Sequence, residues 1–178
     1  MSLDEYNKKR NFKSTSEPKG IIDKSEPKKF VVQYHQARAK HYDFRLEHDG
    51  VLISWAIPKG LSKNPKDKRL AVHVEDHPID YADFEGIIPK GNYGAGTVEI
   101  YDSGNYVPIE DFTKGLKKGH IKIFLNGKKL KGSWSLFKFK DKNWFAVKID
   151  DEFAKIEKQR NTKLPFKETS VQLATLSK

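Results

Sequence analysis

The sequence predicts a mainly β fold, an antiparallel sandwich or barrel of about eight strands with a few short flanking helices. Three observations carry this. Eight segments rich in β-branched and aromatic residues alternate apolar with polar positions. Turn dipeptides separate them, among them Asp49-Gly50, Ser103-Gly104 and Asn126-Gly127. The chain also has 178 residues and no cysteine, which is long enough to bury one core without disulfide staples.

Residues 1–29 are polar and rich in Lys, Ser and Pro, and read as an arm or a short helix followed by loop. Residues 30–154 are the expected domain. Its first strands are FVVQYH, YDFRLEH, VLISWAI and RLAVHVE, the last two separated by a loop from Pro58 to Asp67. GTVEIYD follows, then a short helix at DFTKGLKKG and a meander of HIKIFLNG, KKLKGSWSLFKFK and NWFAVKID. Trp55, Trp134 and Trp144 fall on strands and read as core. Residues 155–178 read as a loose C-terminal tail.

There are 34 Lys and Arg against 24 Asp and Glu, a formal charge of +10. That favours a polyanionic partner, nucleic acid first and an anionic membrane surface second. The lack of cysteine excludes thiolate metal sites and suits a reducing cytosol. No run reaches the length of a membrane span, and MSLDEYNKKR has no apolar stretch for a signal peptide, so the expected compartment is the cytoplasm.

The chemistry concentrates in HQARAKHYDFRLEH. Side chains two apart on a strand share a face, so His41, Asp43, Arg45 and Glu47 line one side, and Tyr42, Phe44 and Leu46 the other. His41 and Asp43 then have Cβ atoms roughly 6–7 Å apart and can reach a common ion. His35 would lie about 20 Å from His41 on a straight strand, so it joins them only if residues 36–40 turn. Two imidazoles and a carboxylate suit a divalent transition metal, and an adjacent Arg suits a phosphate or carboxylate. The competing structural reading is a polar strand face with ordinary hydrogen-bonded histidines.

In LAVHVEDHP the same alternation puts His73, Glu75 and His77 on one face, the expected opposite wall of the cavity, with Tyr81 just beyond it. Lys59, at the end of an apolar strand, and Arg69, opening the next, join Arg45 as candidate phosphate binders. The run Gly91-Asn92-Tyr93-Gly94-Ala95-Gly96 leads into a strand rather than a helix. It reads as a tight loop needing positive φ or close backbone approach, not as a nucleotide loop. His48 and His120 have no supporting neighbours. On these residues alone three functions compete: a metal-dependent enzyme acting on a phosphate, a non-haem Fe(II) oxygenase using the same ligand types, and a non-catalytic nucleic-acid-binding barrel.

The strings YHQARAKHYDFRLEHDGVLISWAIPKG and KRLAVHVEDHPIDYADFEGIIPKGNYGAGTVEIYDSG closely resemble the 3′-phosphoesterase module of bacterial DNA ligase D and its stand-alone relatives. LKGSWSLFKFK and NWFAVKIDDEFA extend the likeness to about residue 154. The resemblance implies a compact antiparallel β-barrel and a Mn²⁺-dependent enzyme, with Co²⁺ or Zn²⁺ as alternative metals. Such an enzyme removes a 3′-terminal phosphate from DNA and trims a terminal ribonucleotide, leaving a 3′-hydroxyl for end joining. The implied partners are DNA 3′ ends, with a DNA ligase and a polymerase acting in trans.

Carried over by position, His35, His41 and Asp43 match the family's metal ligands, and Arg45 and His77 its phosphate contacts. Lys59, Arg69, Glu75 and Tyr81 match further active-site residues. In the arm, Arg10 and Glu17 match residues that assist the ribonuclease step. Asn11 stands where that pattern has an acid, so the resemblance carries the phosphatase step more fully than the trimming.

Overall fold

The computed structural model describes residues 2–20 and 28–155. Beyond Lys155, the expected tail lies outside the described residues. A six-residue helix α1 (Leu3–Lys8) precedes four strands, β1 (Lys29–Gln36), β2 (Lys40–His48), β3 (Val51–Ile57) and β4 (Arg69–Pro78). A 3-10 turn (Ile79–Asp83), β5 (Gly86–Ile88), β6 (Gly96–Pro108) and helix α2 (Phe112–Lys118) come next. The last strands are β7 (His120–Gly127), β8 (Lys131–Lys140) and β9 (Asn143–Lys148).

The strands pair in the order β1-β2-β3-β4-β9-β8-β7-β6, and β6 pairs back onto β1. Eight antiparallel strands thus close a barrel, with β5 added against the start of β6. Closure leaves the eight ring strands without a free edge. Of the two architectures open from strand spacing, this is the barrel.

Alternation along the strands separates two faces. Phe30 and Val32, Phe44 and Leu46, and Ile53, Trp55 and Ile57 enter one core with Trp134, Leu136 and Trp144. Every ring strand contributes to that core, so it is the barrel interior. The opposite parity of β1 and β2 carries Gln33, His35, Asp43 and Arg45, which therefore lie on the outside of the barrel wall. A second core roofs part of this outer face. Tyr6, Ile79, Tyr81, Phe84 and Ile88 pack there onto Val31 and Leu52.

So short a helix as α1 is unstable alone. Ser2 caps it, accepting from the Glu5 amide at 3.4 Å, but docking is what holds it. The fully buried Tyr6 ring lies edge-on to His77 and Tyr81, and its hydroxyl donates to the Pro18 carbonyl.

One expectation fails here. Leu52 pairs with His77 but Ser54 with Val74, so β4 holds one residue more than β3 across this interval. The bulge breaks the alternation between His73 and His77. Glu75 and His77 stay with the outer face, whereas His73 enters the barrel and stacks on Trp55 at 5.2 Å, edge-on to Trp144. Its Nε2 is buried without a hydrogen-bond partner among the described residues.

Burial, with Lys138 nearby, pushes the His73 pKa down to about 4 from 6.5. Between those values the unfolded chain binds a proton that the folded chain does not, so stability falls as pH is lowered through that window. The expected result is that His73→Phe gains on wild type by about 1 kcal/mol per pH unit below pH 6. Thermal melts of both proteins at pH 7, 6 and 5 measure it, and a constant gap between them would refute it.

Candidate active site

The antiparallel register sets His35 directly across from His41, and Gln33 across from Asp43. The three-residue bend 37–39 supplies the turn that His35 required. One donor atom from each of His35, His41 and Asp43 lies within 4.8 Å of the others. His35 Nδ1 faces Asp43 Oδ2 at 3.4 Å, and His41 Nε2 faces Asp43 Oδ1 at 3.3 Å.

The other ring nitrogens are committed elsewhere. His35 Nε2–H donates to the Gly94 carbonyl at 2.7 Å, and His41 Nδ1–H to the Ala39 carbonyl at 2.9 Å. Those bonds fix the tautomers, so both lone pairs point at the carboxylate. Two lone pairs aimed at a carboxylate repel it unless a cation or a proton lies between them, and the donor set therefore fits a divalent metal. It could supply three protein ligands to such an ion.

Arg45, 3% exposed, sits beside this group. Its Nε donates to Gln33 Oε1 at 2.7 Å, Nη2 lies 3.4 Å from Asp43 Oδ2, and the guanidinium lies over the Tyr81 ring. Gln33 is itself locked, donating through Nε2 to the Tyr81 and Phe84 carbonyls. Arg45 Nη1 is buried and has no partner among the described residues. An unpaired guanidinium nitrogen in a buried site is costly, and an anion would relieve it.

The arm closes the other side. Glu17, buried, accepts from Arg10 Nε at 2.9 Å, from the Tyr81 hydroxyl at 2.7 Å and from Thr15 at 3.1 Å. Arg10 Nη2 in turn donates to His77 Nε2 at 3.2 Å, and Lys9 pairs with Glu75 at 2.9 Å. Together these walls enclose a cavity of about 260 Å³.

A family model described as the DNA ligase D 3′-phosphoesterase domain matches residues 33–138. The chain belongs to this family. Among curated relatives, it is 50% identical over 156 residues to the multifunctional non-homologous end joining protein LigD of Pseudomonas aeruginosa. It is 45% identical over 161 residues to the protein of the same description from Mycolicibacterium smegmatis. Each match covers 84% of this chain, but only 19% and 21% of the relative. The chain thus spans about a fifth of the length of the curated relatives it matches.

Within this site, Asp43 is held well below the usual carboxylate range. Burial opposes its charge, but Arg45 and the two imidazoles outweigh burial. His77 moves the other way. Burial comes first, then Arg45 and Arg10, and together they keep its ring neutral well below its ordinary pKa. Its Nδ1–H donates to the Glu75 carbonyl, so Nε2 is the acceptor that Arg10 occupies. The positive charge beside His77 therefore belongs to Arg10 and not to an imidazolium.

Of the residues expected at the site, Arg10, Glu17, Glu75, His77 and Tyr81 line the cavity with Arg45 and the metal group. Lys59 and Arg69 do not. Arg69 donates to the Lys59 carbonyl at 2.8 Å and pairs with Asp67 at 3.7 Å, at the barrel rim where β2 begins. Gln33 was not anticipated, although it shares its strand face with His35, which was the available signal. Asn11 is exposed and its side chain accepts from the Lys13 amide, outside the cavity wall. No helix among the described residues is long and apolar enough to cross a membrane.

Proposed function

We propose that this domain heals DNA 3′ ends as a Mn²⁺-dependent phosphoesterase, removing a 3′-phosphate to leave a 3′-hydroxyl for non-homologous end joining. The observation that carries this reading is the buried Nη1 of Arg45, without a partner among the described residues, beside a His-His-Asp group in a member of the DNA ligase D 3′-phosphoesterase domain family. The net charge of +10 suits DNA as the substrate. A ligase and a polymerase, the activities that would use the product, are the proposed partners in trans, and the proposed setting is the cytoplasm.

His35, His41 and Asp43 would hold the cation, with Co²⁺ or Zn²⁺ as alternatives to Mn²⁺ because the ligand types suit all three. When bound, it supplies Lewis-acid stabilisation of a phosphoryl oxygen. Arg45, fixed by Gln33 and Asp43, offers Nη1 to an equatorial oxygen whose charge develops in the transition state. Arg10 brings a second guanidinium to the opposite wall, held there by Glu17, and its contact orients the neutral His77. Tyr81 lies against the Arg45 guanidinium and is locked by Glu17. Lys59 and Arg69, on the rim, would meet the DNA backbone beyond the terminal phosphate. For trimming, the nucleophile would be the 2′-hydroxyl of the penultimate sugar, which carries the scissile phosphate on its 3′-oxygen. Its attack on phosphorus breaks the bond to the terminal nucleoside's 5′-oxygen, which takes the proton, and leaves a 2′,3′-cyclic phosphate for water to open.

The test is a labelled primer–template ending in a 3′-phosphate, incubated with Mn²⁺ and either wild type or His41→Ala. Conversion to a 3′-hydroxyl by wild type, lost on chelation and at least 10²-fold slower in the variant, is expected. Binding that resists both chelation and His41→Ala, with no conversion by folded wild type, would replace this reading with a binding-only barrel.

A further inference from the structure

Tyr93 stands at the cavity mouth in a position that the phosphate chemistry does not use. It lines the cavity yet is 50% exposed, whereas the Tyr6 and Tyr81 rings behind it are buried. The Lys9 ammonium lies 4.8 Å from its ring centroid and the Arg10 guanidinium 5.6 Å away, so the arm backs the ring with positive charge. Half of its surface remains open to an incoming molecule.

The loop presenting this ring is built to hold still. Gly91 (φ +90°) and Gly94 (φ +75°) take the left-handed turns on either side. The Asn92 amide donates to the Pro89 carbonyl at 3.2 Å and the Ala95 amide to the Asn92 carbonyl at 3.1 Å. Ser14 ties Asn92 to the arm at 2.6 Å. Gly94, next in sequence to Tyr93, gives its carbonyl to His35. The ring's position is therefore set by the same bonds that set the metal group. A Cβ at Gly94 would also lie 3.3 Å from the His35 ring.

We propose that Tyr93 is the stacking platform for the base of the 3′-terminal nucleotide, which places the terminal phosphate between Arg45 and the His35–His41–Asp43 group. This rests on the reading that a DNA 3′ end occupies the cavity. A rigid, half-open aromatic ring backed by cations is the surface that a nucleobase next to a phosphate requires, and it accepts any base because each has a π-face. Sequence tolerance at the terminal position follows, as suits an enzyme that heals breaks of arbitrary sequence.

The test measures binding apart from turnover. Duplexes end in a 3′-methylenephosphonate, whose P–C bond resists hydrolysis, and the terminal nucleotide carries either thymine or an abasic tetrahydrofuran. With Mn²⁺ present, wild type should bind the thymine end about tenfold tighter than the abasic end. Tyr93→Phe should keep that preference, and Tyr93→Ala should lose it while binding the abasic end as wild type does. Equal binding of the two ends by wild type overturns the stacking role and leaves the phosphoesterase reading intact. So does Tyr93→Ala weakening both ends alike, because that is the mark of a merely structural ring. Failure of wild type to bind either end overturns the DNA-end reading and this inference together.

Discussion

Arg45→Ala is expected to slow removal of a DNA 3′-phosphate by about 10²- to 10³-fold, equivalent to about 3–4 kcal/mol of lost transition-state stabilisation. The guanidinium is pre-aimed. Gln33 fixes Nε, Asp43 lies beside Nη2, and Nη1 is buried beside the cavity without a partner among the described residues, so little reorganisation is needed when charge develops on the phosphoryl oxygens. Arg45→Lys should recover only a small part of the loss. An ammonium cannot hold Gln33 and reach substrate with fixed donors at once. Single-turnover rates on a 3′-phosphate primer–template, with metal affinity measured in parallel, separate the two roles. A loss explained entirely by weaker metal binding would remove Arg45 from the phosphate. Gln33→Ala should follow the same direction at smaller size, since it frees the guanidinium without deleting it.

How far the sequence could be read depended on where alternation held. Along β2 it is unbroken, and the assignment of Asp43 and Arg45 to one face and Phe44 and Leu46 to the other follows directly from it. Along β4 one extra residue sends His73 into the barrel, and nothing in LAVHVEDHP marks the bulge, because both registers bury an acceptable set of side chains. The three residues of β5 are too short for any periodic signal.

That the site lies outside the barrel wall was equally hidden. Parity says which residues share a face but not which face is the interior, and only ring closure decides that. The arm contributes Arg10 and Glu17 through contacts 64 and 67 residues away in sequence. Local pattern cannot reach such distances, so that expectation came from resemblance to a family and not from spacing. Gln33 was legible in principle by its parity with His35, but an amide carries no chemistry of its own until Arg45 is seen beside it.

Asp43→Asn is expected to have the larger effect, abolishing measurable metal binding and cutting turnover by about 10³-fold or more, since even outer partners of metal ligands are worth 10- to 100-fold. The substitution keeps the volume of the side chain but removes the negative charge on which His35, His41 and Arg45 converge. Three groups of positive or ligating character would then face one another across a neutral amide.

The imidazole offers a readout independent of activity. In the metal-free protein, burial disfavours His41 protonation, but the Asp43 carboxylate more than offsets it, so the pKa lies above the ordinary value. With asparagine in place, burial and Arg45 disfavour the charge and only the Ala39 carbonyl still supports it, so the pKa should fall below that value. NMR titration of the His41 ring, with chelator present, measures the crossing. The same sign fixes the pH dependence of the wild type. Because protons compete with metal at His41 from above its ordinary pKa, metal affinity should already weaken as pH falls toward about 6.5 and go on weakening below it. Calorimetric titration with Mn²⁺ at pH 8, 7 and 6 checks this, and an affinity unchanged at pH 6 would mean that His41 is not a ligand.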